Sequence, residues 1–324
     1  MTSARPLRIV LVTKGLDIGG LERVVVDLAN GLVARGDEVD LAVVNDRRDA
    51  LVGALSPEVR VHRLGGGDRI GWSAARRLRT LVVRGGFDVV HAHGPLPAVL
   101  VRIVRGGPRV VTSEHTPLDR LHPLSRLLWL ATARRDAATI AVSDAVRASL
   151  PASTRVRTSV VPHGVDVEAA RRVAVARRRE RGDAPVVVLM VARHVAVKHH
   201  ADVLHAVRAV RSTGTPVRLV ALGDGPLLPQ HRLLARQLGI DDIVEFRAPV
   251  GDVFDAMADS DVLVMASERE GQPLVVAEAL AAGLPVVATA VGRVPDLVDP
   301  TVGRVVPPGD REALARALTE VVCD

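Results

Sequence analysis

Short unbroken apolar runs recur along the chain, each followed by a polar or glycine-rich loop and then by a stretch with apolar residues every three to four positions. Such runs read as strands buried on both faces, and the wider spacing reads as helices packed against them. In the first half, RIVLVT (8–13) leads through KGLDIGG into a helix, LERVVVDLANGLVARG, with Gly36 as its stop, and then into a second strand, VDLAVV. A basic helix is expected over 69–84, strands in FDVVHAHGP, RVVTSEHT and TIAVSD, an amphipathic helix over 124–135, a short helix ending at Leu150, and the run VRTSVVPHGVD. The second half repeats the alternation. PVVVLMVARH, a helix over 201–213, VRLVALG with the loop GDGP, the helix LLPQHRLLARQLG, VEFRAPV, the helix DVFDAMADS and VLVMAS follow in order, and a helix from 310 ends at Asp324.

One stretch, Ser267 to Thr289, concentrates the chemistry. The strand VLVMAS runs into EREGQ, a helix from Pro273 to about Ala282, a Gly283 stop and a second strand, PVVAT. Proline at a helix start and glycine past its end are the expected punctuation. The loop therefore lies at the carboxyl end of a parallel strand, where open α/β sheets bind ligands. Glu270 precedes the helix and Glu278 lies roughly 7 to 8 Å along it. Between them the amides of Leu274 and Val275 carry the positive end of the helix dipole, which favours a phosphate. Two flanking acids suit a diphosphate that carries a ribose on one side and a hexose on the other. Taken alone, the pair reads more simply as a solvated Glu270 and an exposed helix residue, Glu278.

Composition narrows the classes. The chain has 324 residues, 48% apolar and 25% charged, as expected of a globular protein of two domains. A lone cysteine, Cys323, leaves no internal disulfide and fits a reducing compartment. The pI near 10.8 comes from arginine, with Lys14 and Lys198 the only lysines, and no aromatic platform, zinc finger or basic reading helix accompanies it. No nucleic-acid partner is expected. Residues 1–165 carry 24 basic and 15 acidic side chains against 19 and 22 in the remainder, so the first half could rest on an anionic membrane. LSRLLWLATARR could lie on that surface or simply cover its own sheet. No apolar run reaches the ~18 residues of a spanning helix, and the first residues suit a strand better than a signal peptide, which leads to a cytoplasmic protein peripheral to the membrane's inner face.

The remaining candidates are smaller. Neither G-x-G-x-x-G nor G-K-[ST] occurs, but Gly19 and Gly20 would let backbone amides approach a phosphate. His91 and His93 share a strand face without a third metal ligand, and Asp259 and Asp261 bracket a helix-to-strand junction away from the carboxyl ends; both pairs read as structural.

These motifs together resemble the retaining glycosyltransferases of family 4, which have the two-domain GT-B fold. The resemblance runs from about Arg8 to Val322 and rests on GGLERVVVDLA, RVVTSEHT, the strand before PHGVD, Arg193 and Lys198 after VVVLMVA, GDGP, and Glu270, seven residues, Glu278, EALAAGLPVVAT. It implies an α/β protein of two Rossmann-like domains, 1–165 on the acceptor side and 185–324 for the donor, joined by 166–184, their strand ends facing across a cleft. It further implies a nucleoside-diphosphate sugar as donor and a hydroxyl acceptor. Glu270, with Gly271, Gln272, Pro273 and Leu274, would take the sugar and phosphates, and Glu278 the ribose. Arg193, Lys198 and the amides at Gly19 and Gly20 would hold the diphosphate, while His115 would contact the donor sugar during catalysis. No cofactor and no essential metal are implied. His163 stands where the family has Asn, and the chain stops where typical members add further helices, a shortened C-terminus. Two other readings remain open: a non-catalytic nucleotide-sugar-binding or partner subunit, and a two-domain solute-binding protein.

Overall fold

A computed structural model describes residues 5–45, 49–66, 72–104, 106–176, 184–249 and 253–323. The chain divides into two compact units, Met1–His163 and Gly164–Asp324.

The first unit contains β1 (Arg8–Thr13), α1 (Gly20–Ala34), β2 (Glu38–Asn45), β3 (Arg60–Gly66), α2 (Trp72–Arg84), β4 (Val89–His93), α3 (Pro95–Ile103), β5 (Arg109–Glu114), α4 (Pro123–Thr132), β6 (Ala138–Ala141), α5 (Asp144–Ser149), α6 (Ala152–Arg155) and β7 (Thr158–Val160). Its strands are all parallel, in the order β3-β2-β1-β4-β5-β6-β7, with Leu11 opposite Leu41 on one side and His91 on the other. Alternation along a strand sends successive residues to opposite faces. Ile9 and Leu11 accordingly pack with Val25, Val26 and Ala29 of α1, whereas Val10 and Val12 pack with Leu78 and Val82 of α2 and Ala98 of α3. Both faces are covered, which is why the strands are apolar throughout.

The second unit contains α7 (Val167–Ala176), β8 (Val186–Val191), α8 (His200–Ser212), β9 (Val217–Leu222), α9 (Leu228–Gln237), β10 (Val244–Arg247), α10 (Val253–Ala258), β11 (Val262–Met265), α11 (Leu274–Ala281), β12 (Val286–Thr289), α12 (Val294–Leu297), β13 (Gly303–Val306) and α13 (Arg311–Cys323). Its parallel sheet has the order β10-β9-β8-β11-β12-β13. Leu189, Leu263 and Val286 face Val276 and Ala279 of α11; Val188, Val264 and Val287 face α8 and α13. Gly283, at φ +74, ends α11 as the sequence led one to expect.

Several elements depart from the expectations. Within 166–184, read as a connection, residues 167–176 form α7, whose Ala170 and Val173 are buried in the second unit's core against α10 and α11. Two small apolar positions three apart make a stripe too narrow to stand out among so many charges. Residues 177–183 of that segment lie outside the described ones, as do 69–71 of the basic helix, 250 of VEFRAPV and 252 of the helix after it. The edge strands β3 and β13 were not expected, because RVHRLGG is charged and GRVV is short. Gly303 lets β13 approach, since a Cβ there would collide with the Val286 carbonyl.

Candidate functional site

In each sheet the chain order reverses direction between two central strands, β1 and β4 in the first and β8 and β11 in the second. Loops leaving such a pair diverge to opposite faces and open a crevice beyond the carboxyl ends. The expected site residues Gly19, Gly20, Arg193, Lys198 and Glu270 all lie on loops from these reversal points, or at the start of the helix that follows.

In the second unit, the chain after β8 turns through a short 3₁₀ segment, Ala196–Lys198, and passes His199 into α8. His199 holds φ +49, the only positive φ at a non-glycine among the described residues. That conformation is uncommon outside glycine, although histidine adopts it more readily than most side chains. Lys198 donates its ammonium to the Glu270 carboxylate, and the Glu268 amide donates to the Val197 carbonyl at 2.9 Å. The two loops at the reversal point are thus tied side chain to side chain and main chain to main chain. Lys198 and Glu270 are mostly buried, at 24% and 16% exposure, so their attraction is screened less than that of a surface pair.

Two more loops close on the same place. Thr289 at the end of β12 donates to the Ser267 carbonyl at 2.6 Å, and Gly292, at φ +54, sits so close to Glu270 and Gly271 that any Cβ would strike their carbonyls. On the other side, Gly225 faces the His194 carbonyl, which an added Cβ would meet at 2.6 Å. Gly271, Gln272 and Pro273 then lead into α11, Pro273 taking the cap position with Leu274 as the first helical residue. The amides of Leu274 and Val275 have no acceptor within a helix that begins there, so they face outward from its positive end. Arg193 is exposed on the β8 loop, and Glu278 is half-buried in the second turn of α11. The lysine and acid that the sequence suggested separately are therefore one ion pair, which joins the loop after β8 to the loop that leads into α11. Asp261 belongs to the opposite edge, where its carboxylate accepts from the Val187 amide at 2.8 Å, a structural contact as expected.

In the first unit, Gly19 caps α1 with extended backbone, and the Glu22 carboxylate folds back to within 2.5 Å of where a Gly19 Cβ would stand. Four histidines, His91 and His93 in β4, His115 after β5 and His163 after β7, form a row: the His91 and His93 rings lie 4.3 Å apart, His93 and His115 5.7 Å, and His115 and His163 5.0 Å, nearly stacked. His91 Nε2 bonds Ser113 at 2.8 Å and His115 Nδ1 bonds His163 Nε2 at 3.2 Å. His115 Nε2 and both nitrogens of His93 are buried without a hydrogen-bond partner. Burial first, and then the neighbouring rings, push His115 down to about 3; burial alone pushes His91 and His163 to about 4. The row is neutral at physiological pH, so His115 can offer or accept a hydrogen bond but carries no charge. Its neighbour Glu114 is structural, accepting from buried Trp129 Nε1 at 2.6 Å beside the Arg102–Asp136 pair.

Comparison with known proteins gives the fold and site a family. Residues 18–169 match the family model described as Glycosyltransferase Family 4, and 185–324 the model described as Glycosyl transferases group 1. A D-inositol 3-phosphate glycosyltransferase from Xylanimonas cellulosilytica is 30% identical over 95% of this chain and 84% of its own length. The chain belongs to the family 4 glycosyltransferases. A second family member, the putative glycosyltransferase EpsF of Bacillus subtilis, is 33% identical over 65% of this chain, and the match spans only 59% of EpsF, less than two thirds of its length. Among solved structures, Anabaena Alr3699/HepE in complex with UDP and glucose aligns with a TM-score of 0.81 at 20% identity, covering 98% of this chain and 90% of that one. That likeness establishes the GT-B fold.

Several residues of these loops and histidine groups were not singled out in the sequence. His163 was noted only as a replacement for Asn, yet it is the hydrogen-bond partner of His115. Gly225 and Gly292 lay in loops already noticed, GDGP and AVGRVPDLV, and a glycine just past a strand end was the available signal. Behind the β8 loop, His194, His200 and His231 form a second buried group that spacing alone could not assemble.

Proposed function

We propose that the protein is a retaining glycosyltransferase that moves a hexose from a nucleoside-diphosphate sugar to a hydroxyl on a lipid, glycan or small molecule. The observation that carries this reading is the Lys198–Glu270 pair, which joins the loop after β8 to the loop that leads into α11, with Arg193 exposed on the same β8 loop as Lys198. An ammonium, a guanidinium and free helix amides match a diphosphate, and the two glutamates match hydroxyls on either side of it. The bond from the anomeric carbon to the phosphate oxygen breaks as the acceptor oxygen attaches on the same face. The acceptor proton passes to the departing diphosphate oxygen, whose growing charge Lys198, Arg193 and the amides at Leu274 stabilise. Glu270 with Gly271 and Gln272 orients the sugar, Glu278 the ribose, and His115, held by His163, contacts the sugar as a neutral hydrogen-bonding group. Gly19 and Gly20 are assigned to the phosphates. With cations already supplied by the chain, no metal on the diphosphate is required.

UDP-sugars are the first donors to try, because the HepE structure holds UDP and glucose. Thermal shift with UDP, GDP, ADP and TDP and their sugars tests the reading. One of them at 100 times its dissociation constant should stabilise the protein by ~2.7 kcal/mol, equally with and without Mg²⁺, and Glu278→Ala should remove most of that gain. A shift that is unchanged in Glu278→Ala would take this residue out of the site.

A membrane role for the first unit is part of the proposal. On α4 Trp129 is fully buried while Leu124, Leu127, Leu128 and Leu130 are 40–62% exposed, with Arg126 among them. A helix with leucines outward and arginine beside them suits an anionic bilayer surface. No helix among the described residues is long and apolar enough to cross a membrane.

A further inference from the structure

Behind the loop that carries Lys198, three histidines from two elements converge. His194 follows β8, His200 opens α8 and His231 lies on α9, and all three are buried, at 0, 3 and 8% exposure. The His194–His200 and His200–His231 rings stack at 4.0 and 4.8 Å between centroids, and the His194–His231 rings lie tilted at 5.1 Å. One ring nitrogen from each lies within 4.8 Å of the other two. None of the three side chains has a part in the proposed sugar chemistry.

Two features distinguish it from a chance stack. His194 Nε2 and His200 Nδ1 are buried nitrogens with no hydrogen-bond partner, and His194 Nδ1 meets His231 Nδ1 at 2.8 Å, so one bare nitrogen faces another with a single proton between them. Buried imidazole nitrogens without a partner are unusual, and a bound metal ion is one way of satisfying them. The surrounding charges are mixed, Asp224 acting favourably and Arg232 and Lys198 unfavourably on these rings.

We propose that His194, His200 and His231 bind one divalent transition-metal ion of the zinc class. Three neutral imidazoles suit Zn²⁺, Co²⁺, Ni²⁺ or Cu²⁺ and exclude Mg²⁺ and Ca²⁺, which need oxygen ligands. A tetrahedral site with zinc–nitrogen bonds of about 2.1 Å sets its ligand atoms about 3.4 Å apart, so a pair at the 4.8 Å limit closes by about 1.4 Å through side-chain rotation. Three ligands leave one tetrahedral position open. Because His194 and His200 bracket Lys198, the ion ties both ends of that loop to α9. Its role is to hold the loop, and it is distinct from any metal on a diphosphate.

The test uses the full chain, free of any affinity tag and stripped with EDTA. Titration with Co²⁺ should give a visible ligand-field band that saturates at one equivalent and is bleached by Zn²⁺. Zn²⁺ at a hundredfold excess over its dissociation constant should raise the second unit's melting temperature by about 5–10 °C, whereas Mg²⁺ should leave it unchanged. His200→Gln and His231→Gln should each lose the band, with far-ultraviolet circular dichroism confirming the fold, and His163→Gln in the other histidine row should keep it. Absence of both band and thermal shift in the wild-type chain would overturn the proposal regardless of how the variants behave. So would a band that persists in His200→Gln and His231→Gln, since the ion would then be bound elsewhere.

Discussion

At the scale of single residues, Lys198 and the first unit's histidines lead to the most direct tests. Lys198 is paired with Glu270, and both are only partly exposed. Lys198→Ala removes the cation next to the leaving diphosphate, so kcat should fall by about 10²- to 10³-fold. The melting temperature should fall as well, because the substitution leaves the mostly buried Glu270 carboxylate without its cation. Steady-state kinetics with the donor identified by thermal shift would read this, and an unchanged kcat would remove Lys198 from the chemistry. The histidine row gives a pH dependence. Unfolded histidines take up protons near 6.5, whereas the folded row holds out to about 4 for His91 and His163 and about 3 for His115. The unfolded chain therefore binds more protons in that window. The row's contribution is full above about pH 6.5 and is lost as pH falls towards 4, by up to ~1.4 kcal/mol per pH unit for each group. Both tryptophans, Trp72 and Trp129, lie in the first unit, so their fluorescence reports its unfolding separately. The urea midpoint should drop between pH ~7.5 and ~5, and drop less in His163→Asn.

At the scale of elements, the loop geometry around α11 is the feature that the chain's pattern revealed least completely. The strand, loop and helix were legible because buried parallel strands are continuously apolar and because Pro273 and Gly283 mark the helix ends. The contact of Gly292 with Glu270 and Gly271 was not, since those residues are some twenty positions apart and meet only when β12 lies beside β11. Gly292→Ala would add a Cβ at positive φ against two carbonyls, which should cost about 1–3 kcal/mol and displace Glu270. A raised donor KM together with a lowered melting temperature is the expected result; an unaltered KM would show that the loop does not position Glu270. On α4 the division of labour was likewise open from the sequence. Trp129 turns inward because the acid of Glu114 needs its indole N–H, and that choice rotates the leucines outward.

At the scale of the whole molecule, charge is distributed unevenly between the two halves, 24 basic against 15 acidic residues in the first 165 and 19 against 22 in the rest. Exposed leucines on α4 add an apolar contact to that field. Binding to anionic vesicles should therefore exceed binding to neutral ones and weaken as salt rises. Leu127→Asp should reduce it by at least about tenfold, given ~1.5–3 kcal/mol for burying a leucine. A flotation assay with and without anionic lipid would measure this, and equal binding to both vesicle types would dispose of the membrane role. The two histidine groups, one per unit, also belong to this scale, because each is assembled from different strands or helices of its own unit.

The linear chain determined the class of fold and the ends of most central elements, since these depend on local spacing, glycine and proline, and on apolar runs long enough to be buried on both faces. It also pointed to Lys198, Glu270 and His115, whose motifs follow strand ends directly. Folding alone decided which side chains meet: Lys198 with Glu270, His115 with His163, and His194 with His200 and His231. The edge strands β3 and β13 and the packing of α7 were decided in the same way. Such pairings depend on strand order and helix orientation, which bring together residues that spacing in the chain leaves unrelated.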